Sequence, residues 1–337
     1  MPKSQPSLKY AIIGSGALGC LYGGMLAKHG SEVHFLIHSG IDVIRSEGLK
    51  VESILGDFHL NGQSLNLHRS VNSIPPCDVT IVGLKTTQNH LLRGLLPSPT
   101  RDGGVVLCLQ NGLESEADSA EVVGLHRVLG GCCFLCCNKV APGHIRHLDY
   151  GKIVMGEFTP SDQPACGITD RLQTIADDMR AAGIDAVPTG DLAMARWRKL
   201  MWNIPFNGLS VALNASTQEL INDSHAATLA ESIMVEVRDA AMACGRNLPP
   251  DAIQFTLDHT RQMVPYDSSM RLDYLAGRPM ELPAIFQAPL RAARAAGAAM
   301  PRVEMLFREL NFLQQRRSGR PQTTSLLASG PLSQTQR

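Results

Sequence analysis

A lysine and two asparagines recur at intervals of four residues in an otherwise largely apolar segment. The run from 197 to 207 reads Trp-Arg-Lys-Leu-Met-Trp-Asn-Ile-Pro-Phe-Asn, which sets Lys199, Asn203 and Asn207 four apart. On a helix these three side chains project along one face. One ammonium and two carboxamides on that face are suited to holding an oxygen-rich small molecule and giving it a proton. The segment by itself also allows the commoner alternative, an exposed helical lysine.

A glycine-rich loop near the start of the chain would supply the second half of such a site. It follows the apolar run Tyr10–Ile13 and opens a helical pattern that stops at Gly30. Its members are Gly14, Ser15, Gly16, Ala17, Leu18 and Gly19. In this strand–turn–helix context, glycines allow a tight turn and a close approach of a pyrophosphate to the backbone at the helix N-terminus. The loop therefore predicts a bound dinucleotide.

Three polar residues follow predicted strands and should share one edge of the sheet. His38 ends the second strand, where proteins that bind NAD carry Asp or Glu for the ribose hydroxyl. A carboxylate there would repel the 2′-phosphate of NADP, so its absence favours NADP. Lys85 and Asn111 follow later strands, and the carboxyl ends of parallel strands are where open α/β sheets bind ligands. A surface loop residue and an Asn-Gly turn are the alternatives for these positions.

The order of patterns predicts an α/β domain of the Rossmann type followed by an all-α domain. Strand-like runs occur at 10–13, 33–37, 79–82, 105–109, 128–140, 144–150, 152–157 and 184–187, with a helix at 168–182. Helical patterns then occupy 192–216, 224–244, 251–263, 281–298 and 301–315. We therefore expect a nucleotide-binding domain over 1–190, a helical substrate domain over 191–315 and a disordered tail over 316–337.

Composition gives no sign of several classes of partner or location. Lys plus Arg and Asp plus Glu both number 31, so net charge gives no indication of nucleic acid or an anionic membrane as a partner. No apolar run spans a membrane and no secretory signal is visible, which predicts a cytoplasmic protein with its nine cysteines as free thiols. The Cys132–Cys137 run suggests zinc, but in a strand Cys133 and Cys136 face opposite sides, so we expect no metal.

Several motifs together resemble the ketopantoate reductase (2-dehydropantoate 2-reductase) family over residues 9 to 312. They are the glycine loop, Lys85-Thr86-Thr87-Gln88, Gln110-Asn111-Gly112, Trp197-x-Lys199-x3-Asn203-x3-Asn207, Ser268-Ser269-Met270 with Glu281 twelve residues after Ser269, and Arg291–Gly297. The lysine–asparagine run with its Ser–Glu pair is the specific part. The glycine loop alone is not, because it occurs in many nucleotide-binding proteins.

The resemblance implies NADPH-dependent reduction of the 2-keto group of ketopantoate to pantoate. It implies that Lys199 donates the proton, and that Glu281 fixes the substrate and the nicotinamide end of the site. It further implies that Asn111 touches both cofactor and substrate and that Lys85 lines the cofactor cleft. The substrate-binding residues by the same resemblance are Asn111, Asn203, Asn207 and Ser269.

Two alternative functions stay open, as does the assembly. A related reductase could act on another 2-keto acid, because the residues after Glu281 differ from the usual family run. A non-catalytic protein that senses NADP is a second alternative, although a sensor has no need of a proton donor. The chain could be a monomer or a homodimer.

Overall fold

The computed structural model describes residues 8–160, 163–264 and 266–317. The strands in these ranges form one ten-stranded sheet. They are β1 (Tyr10–Ile13), β2 (Val33–Leu36), β3 (Leu49–Ser53), β4 (Phe58–Leu60), β5 (Asn66–His68), β6 (Val79–Val82), β7 (Val105–Cys108), β8 (Val128–Ala141), β9 (His144–Glu157) and β10 (Ala186–Pro188).

The centre of the sheet is parallel and buried on both faces. β1 lies between β2 and β6, and β7 and β8 continue the parallel order beyond β6. Every residue of β1 and of β6 is buried, and Tyr10 and Ile12 belong to a different apolar cluster from Ala11 and Ile13. The continuous apolar runs in the sequence reflect this coverage of both faces. The chain leaves β1 in one direction and β6 in the other, which opens a crevice at their carboxyl ends.

A long antiparallel hairpin extends the sheet beyond β8. β8 and β9 pair along most of their length, where the sequence predicts a break between 144–150 and 152–157. The break is a bulge: Leu135 pairs with Tyr150 and Phe134 with Lys152, which leaves Gly151 unpaired. Tyr150 and Gly151 have φ of 61° and 129°, so the extra residue bends one strand rather than dividing it.

Three short strands at or near the sheet edges lack a sequence signal. β3 pairs parallel with β9 and antiparallel with β4, and β5 pairs parallel with β2. These strands have three to five residues and are largely polar or half-exposed. β3 and β5 depend on pairing with strands distant in the sequence, and β4 depends on its pairing with β3, so no local periodicity predicts them.

The second half of the described chain is helical, apart from β10. The α-helices in the described ranges are α1 (Ala17–His29), α2 (Ile41–Glu47), α3 (Leu92–Leu95), α4 (Ala117–Val123), α5 (Asp170–Ala181), α6 (Leu192–Ala212), α7 (Thr217–Asn222), α8 (Ser224–Ala243), α9 (Ala252–Gln262), α10 (Ser269–Leu275), α11 (Ala288–Ala295) and α12 (Pro301–Arg317). A π-helical turn, Pro283–Gln287, precedes α11. α6 is the central helix and packs against α8, α10 and α12.

The predicted fold class, a Rossmann-type α/β unit followed by an all-α unit, is confirmed. The sequence and the structure differ at three further places. The helix predicted over 192–216 ends at Ala212, and a Ser216–Glu219 capping box starts α7. α10 was not predicted, and α12 continues to Arg317, into the segment predicted as a tail. Residues 318–337 of that tail lie outside the described residues. No helix in the described ranges is long and apolar enough to cross a membrane.

Candidate active site

A cleft of about 2130 Å³ lies between the carboxyl edge of the sheet and the helical half of the chain. Twelve of the fourteen predicted site residues line it: Gly14, Ser15, Gly16, Ala17, Leu18, His38, Lys85, Asn111, Lys199, Asn203, Ser269 and Glu281. Residues separated by up to 267 positions therefore share one space. Gly19 and Asn207 are the two that do not line the cleft.

The glycine loop fits a dinucleotide in three separate ways. Gly14 has φ of 109°, and a Cβ there would lie 2.5 Å from the Leu84 nitrogen, so only glycine allows the turn. Gly16 is the N-cap of α1 without a side-chain cap, and a Cβ on it would meet nothing within 4 Å. The N–H groups of this helix end therefore stay open to phosphate oxygens. A Cβ on Gly19 would lie 2.1 Å from the Gly14 carbonyl oxygen, so Gly19 serves packing beneath the loop.

Lys199 donates two hydrogen bonds to acceptors in the nucleotide-binding half of the chain. Its Nζ donates to Asn111 Oδ1 at 2.6 Å and to the Cys133 carbonyl oxygen at 2.6 Å. The Phe134 ring centroid lies 5.8 Å away. An ammonium has three N–H donors, so one remains for a ligand in the cleft. Burial lowers the pKa of Lys199 from its ordinary value, while the negative charge of Glu281 acts in the opposite sense.

Glu281 joins the two halves of the chain at the cleft. It is 6% exposed, and its Oε1 accepts from the Thr86 backbone N–H at 2.8 Å and from Thr86 Oγ1 at 2.9 Å. Thr86 begins the short helical turn after β6. Both bonds reach Oε1, so within the described residues the second carboxylate oxygen is available to a ligand. Sequence motifs placed Glu281 in the site but gave no sign of its partner Thr86.

Lys85 lines the cleft, as predicted for a cofactor-binding residue, but it also has a partner that the sequence did not indicate. Its Nζ forms an ion pair with Asp273 of α10, whose side chain is only 3% exposed. Arg278 Nε also contacts Asp273, at 2.9 Å from Oδ1. Asp273 therefore helps to position the Lys85 side chain in the cleft. It was missed because α10 was not predicted, and an isolated aspartate carries no motif.

The predicted substrate residues differ in exposure. Asn203 is 5% exposed and lines the cleft one turn after Lys199, and Ser269 lines it from the first turn of α10. Asn207 is 2% exposed, and its Oδ1 has no hydrogen-bond partner in the described part of the chain. Ser210 Oγ and Ser268 Oγ lie 2.7 Å apart, which ties α10 to this end of α6. The same helical face thus reaches the cleft at Asn203 and is covered at Asn207.

A buried ion pair fixes the Asn111 loop against α6. Arg196 and Glu116 have side-chain exposures of 2% and 1%, and Arg196 Nε lies 3.1 Å from Glu116 Oε1. The same guanidinium donates to the carbonyl oxygens of Gln110 and Cys108. Arg196 lies one turn before Lys199 and Gln110 directly precedes Asn111. The pair therefore sets the position of both partners in the Lys199–Asn111 hydrogen bond.

A metal centre has no support among the residues in the described ranges, where no group of three His, Cys, Asp or Glu side chains is arranged to hold an ion. The nine cysteines are all described, and each is a free thiol. Burial raises the pKa of the Cys133 thiol to about 12, so this cysteine is a neutral packing group at neutral pH.

Comparison with known proteins identifies relatives over most of the chain. The family models "Ketopantoate reductase PanE/ApbA" and "Ketopantoate reductase PanE/ApbA C terminal" match residues 10–160 and 191–314. A 2-dehydropantoate 2-reductase of Nostoc sp. is 48% identical over 91% of this chain and 96% of its own length.

Solved structures show the same relationship. The crystal structure of 2-dehydropantoate 2-reductase from Geobacter metallireducens has a TM-score of 0.85 and 40% identity, covering 90% of this chain and 99% of that one. The corresponding structure from Methylococcus capsulatus has a TM-score of 0.81 and 30% identity, covering 92% and 98%. From its family models, its relatives and its fold, the chain belongs to the ketopantoate reductase family.

Proposed function

We propose that this chain reduces the 2-keto group of ketopantoate (2-dehydropantoate) to give pantoate, with NADPH as the reductant. The observation that carries the proposal is the contact of Lys199 Nζ with Asn111 Oδ1, at 2.6 Å, in a cleft that also contains the glycine loop and Glu281. A half-buried proton donor thus lies in the same space as a site for a nucleotide. The relatives named 2-dehydropantoate 2-reductase support this substrate.

The reaction follows from charge development on the substrate. Bound NADPH supplies a hydride to the 2-keto carbon. Negative charge then builds on the carbonyl oxygen, which the third N–H of Lys199 stabilises and protonates. The hydrogen bonds to Asn111 and to the Cys133 carbonyl oxygen orient Nζ in advance, so no reorganisation is needed as the charge develops.

The remaining cleft residues hold the two other polar groups of the substrate. Asn203 and Ser269 offer neutral donors to the carboxylate, and the free oxygen of Glu281 accepts from the primary hydroxyl. Asn207 Oδ1, which has no partner among the described residues, would accept a hydrogen bond from a substrate hydroxyl or a bridging water. These roles agree with the family resemblance and rest on the position of each side chain.

Substrate choice tests the proposal directly. We expect 2-ketoisovalerate, which lacks the hydroxymethyl group of ketopantoate, to be reduced with a kcat/KM lower by about 10–150-fold, because Glu281 then loses a partner worth about 1.5–3 kcal/mol. The measurement is NADPH oxidation at 340 nm. Glu281→Gln is the matched variant, and it should reduce the difference in kcat/KM between ketopantoate and 2-ketoisovalerate.

Two outcomes of this assay would contradict the proposal. Equal or better turnover of another 2-keto acid would favour the related reductase. Tight NADPH binding without turnover of any keto acid would favour the sensor.

The pH dependence provides a second test. The protonated form of Lys199 is the acid for reduction, so kcat should fall as pH rises through its pKa, at a pH below the ordinary lysine value of 10.5 because burial lowers that pKa. In the reverse direction, oxidation of pantoate, the neutral amine is the base and the rate should rise over the same range. A pair of pH–kcat profiles would show this. Parallel profiles for the two directions would contradict the assignment.

A further inference from the structure

An arginine that the sequence did not single out lies at the nucleotide end of the cleft. β5 pairs parallel with β2, so that Leu36 lies opposite His68 and the Ile37 N–H donates to the His68 carbonyl oxygen at 2.9 Å. Arg69 follows β5 directly and His38 follows β2 at the same edge. Both residues line the cleft together with the glycine loop.

The partner of Arg69 is easily exchanged. Its Nη2 lies 2.6 Å from each carboxylate oxygen of Asp42, with side-chain exposures of 61% for the arginine and 76% for the aspartate. An ion pair this exposed contributes little to stability. Asp42 does not line the cleft, whereas Arg69 does. A dianionic phosphate in the cleft would therefore compete well for the guanidinium fork.

Lys139, another cation that lines the cleft, is placed to meet a different part of the nucleotide. Lys139 Nζ donates to the Ser15 carbonyl oxygen at 3.1 Å, which places it on the glycine loop. The loop and the end of α1 serve the pyrophosphate, a group that NADH and NADPH share. The end of β2 is the position that meets the adenosine ribose, the only place where the two cofactors differ. Arg69 is next to that position, whereas Lys139 contacts the glycine loop.

We propose that Arg69 selects NADPH over NADH by leaving Asp42 and binding the 2′-phosphate with its guanidinium. The inference rests on the proposed use of NADPH and names the residue that decides it. His38 then borders the adenosine without being the source of the preference. Asp42 acts as a competitor, because it holds the same guanidinium when the phosphate is absent.

Equilibrium binding of NADPH and NADH, followed by cofactor fluorescence, tests the proposal without turnover. Arg69→Ala should raise the Kd for NADPH by about 10–100-fold, the loss expected for a charged hydrogen-bonded contact, and change the Kd for NADH by less than about 2-fold. Arg69→Lys keeps the charge but loses the guanidinium fork, so its Kd for NADPH should lie between those of the parent and Arg69→Ala. Asp42→Asn should tighten NADPH binding and leave NADH unchanged. Unchanged NADH binding also shows that each variant is folded.

The matched controls are Lys139→Ala and His38→Ala. Lys139→Ala should weaken both cofactors to the same extent, and His38→Ala should leave the NADPH to NADH ratio within about 3-fold of the parent. An NADPH-specific loss in His38→Ala but not in Arg69→Ala would overturn the proposal, as would an equal loss of both cofactors in Arg69→Ala. Failure of ketopantoate turnover with an intact Arg69-dependent preference would refute the proposed substrate and not this inference.

Discussion

Replacement of Lys199 by alanine should lower kcat for ketopantoate reduction by about 10²–10⁴-fold, the usual contribution of a well-placed general acid. The Kd for NADPH should change by less than about 3-fold, because the glycine loop and Arg69 are untouched. The loss arises in the transition state. As the hydride adds to the carbonyl carbon, negative charge develops on the carbonyl oxygen, and in the variant no ammonium stabilises it. Steady-state kinetics and a cofactor titration of the same preparation measure both quantities.

The neighbouring residue provides the control for this prediction. Arg198 is an exposed cation on the same helix, with its guanidinium 5.6 Å from the Phe255 ring, and Arg198→Ala removes a charge without touching Asn111 or Cys133. It should retain kcat within about 3-fold. Lys199→Ala with nearly normal turnover would mean that another group donates the proton. Loss of NADPH binding in proportion to the loss of rate would mean that Lys199 is structural.

Replacement of Arg196 by methionine should lower the free energy of unfolding by about 3–5 kcal/mol, because it leaves the Glu116 carboxylate buried without its partner. The carbonyl oxygens of Gln110 and Cys108 lose donors in the same variant. Chemical denaturation of the variant and the parent measures the difference. Arg196→Met with Glu116→Gln should cost less than the sum of the single changes, since the two residues share one interaction.

An exposed pair of the same kind is the control. Arg308 and Glu304 lie 2.7 Å apart with side-chain exposures of 70% and 35%, so Arg308→Met should cost no more than about 1 kcal/mol. If Arg196→Met also lowered the free energy of unfolding by no more than about 1 kcal/mol, the buried pair would not stabilise the fold as proposed. Because Arg196 also positions Gln110 and α6, we expect the folded fraction of the variant to lose part of its kcat through the Asn111–Lys199 contact.

Local patterns in the sequence were sufficient where one element determines the answer. Strands covered on both faces must be continuously apolar, so β1, β6 and β7 were visible without any partner. The turn at Gly14 demands glycine for a reason internal to the loop, a positive φ and a close backbone neighbour. The interval of four residues from Lys199 to Asn203 is a property of a single helix, and both side chains line the cleft.

Pairing between distant segments produced the errors and the omissions. β5 becomes a strand only beside β2, and without it Arg69 has no reason to be near His38. Arg196 and Glu116 are 80 residues apart, and no spacing rule links them. The bulge at Gly151 lies in a continuous strand, although the sequence alone suggested two.

What the sequence by itself determined is therefore the chemistry available: a phosphate-binding turn, a lysine with an amide on one helical face and, by family resemblance, a carboxylate at Glu281. Tertiary structure decided which of these groups meet. It holds Lys199 between Asn111 and the Cys133 carbonyl oxygen, ties Glu281 to Thr86, and covers Asn207 where α10 lies on α6. The physical reason is that side-chain type and local periodicity are properties of one element. A pKa, an ion pair or the width of a cleft depends on elements that only the folded chain brings together.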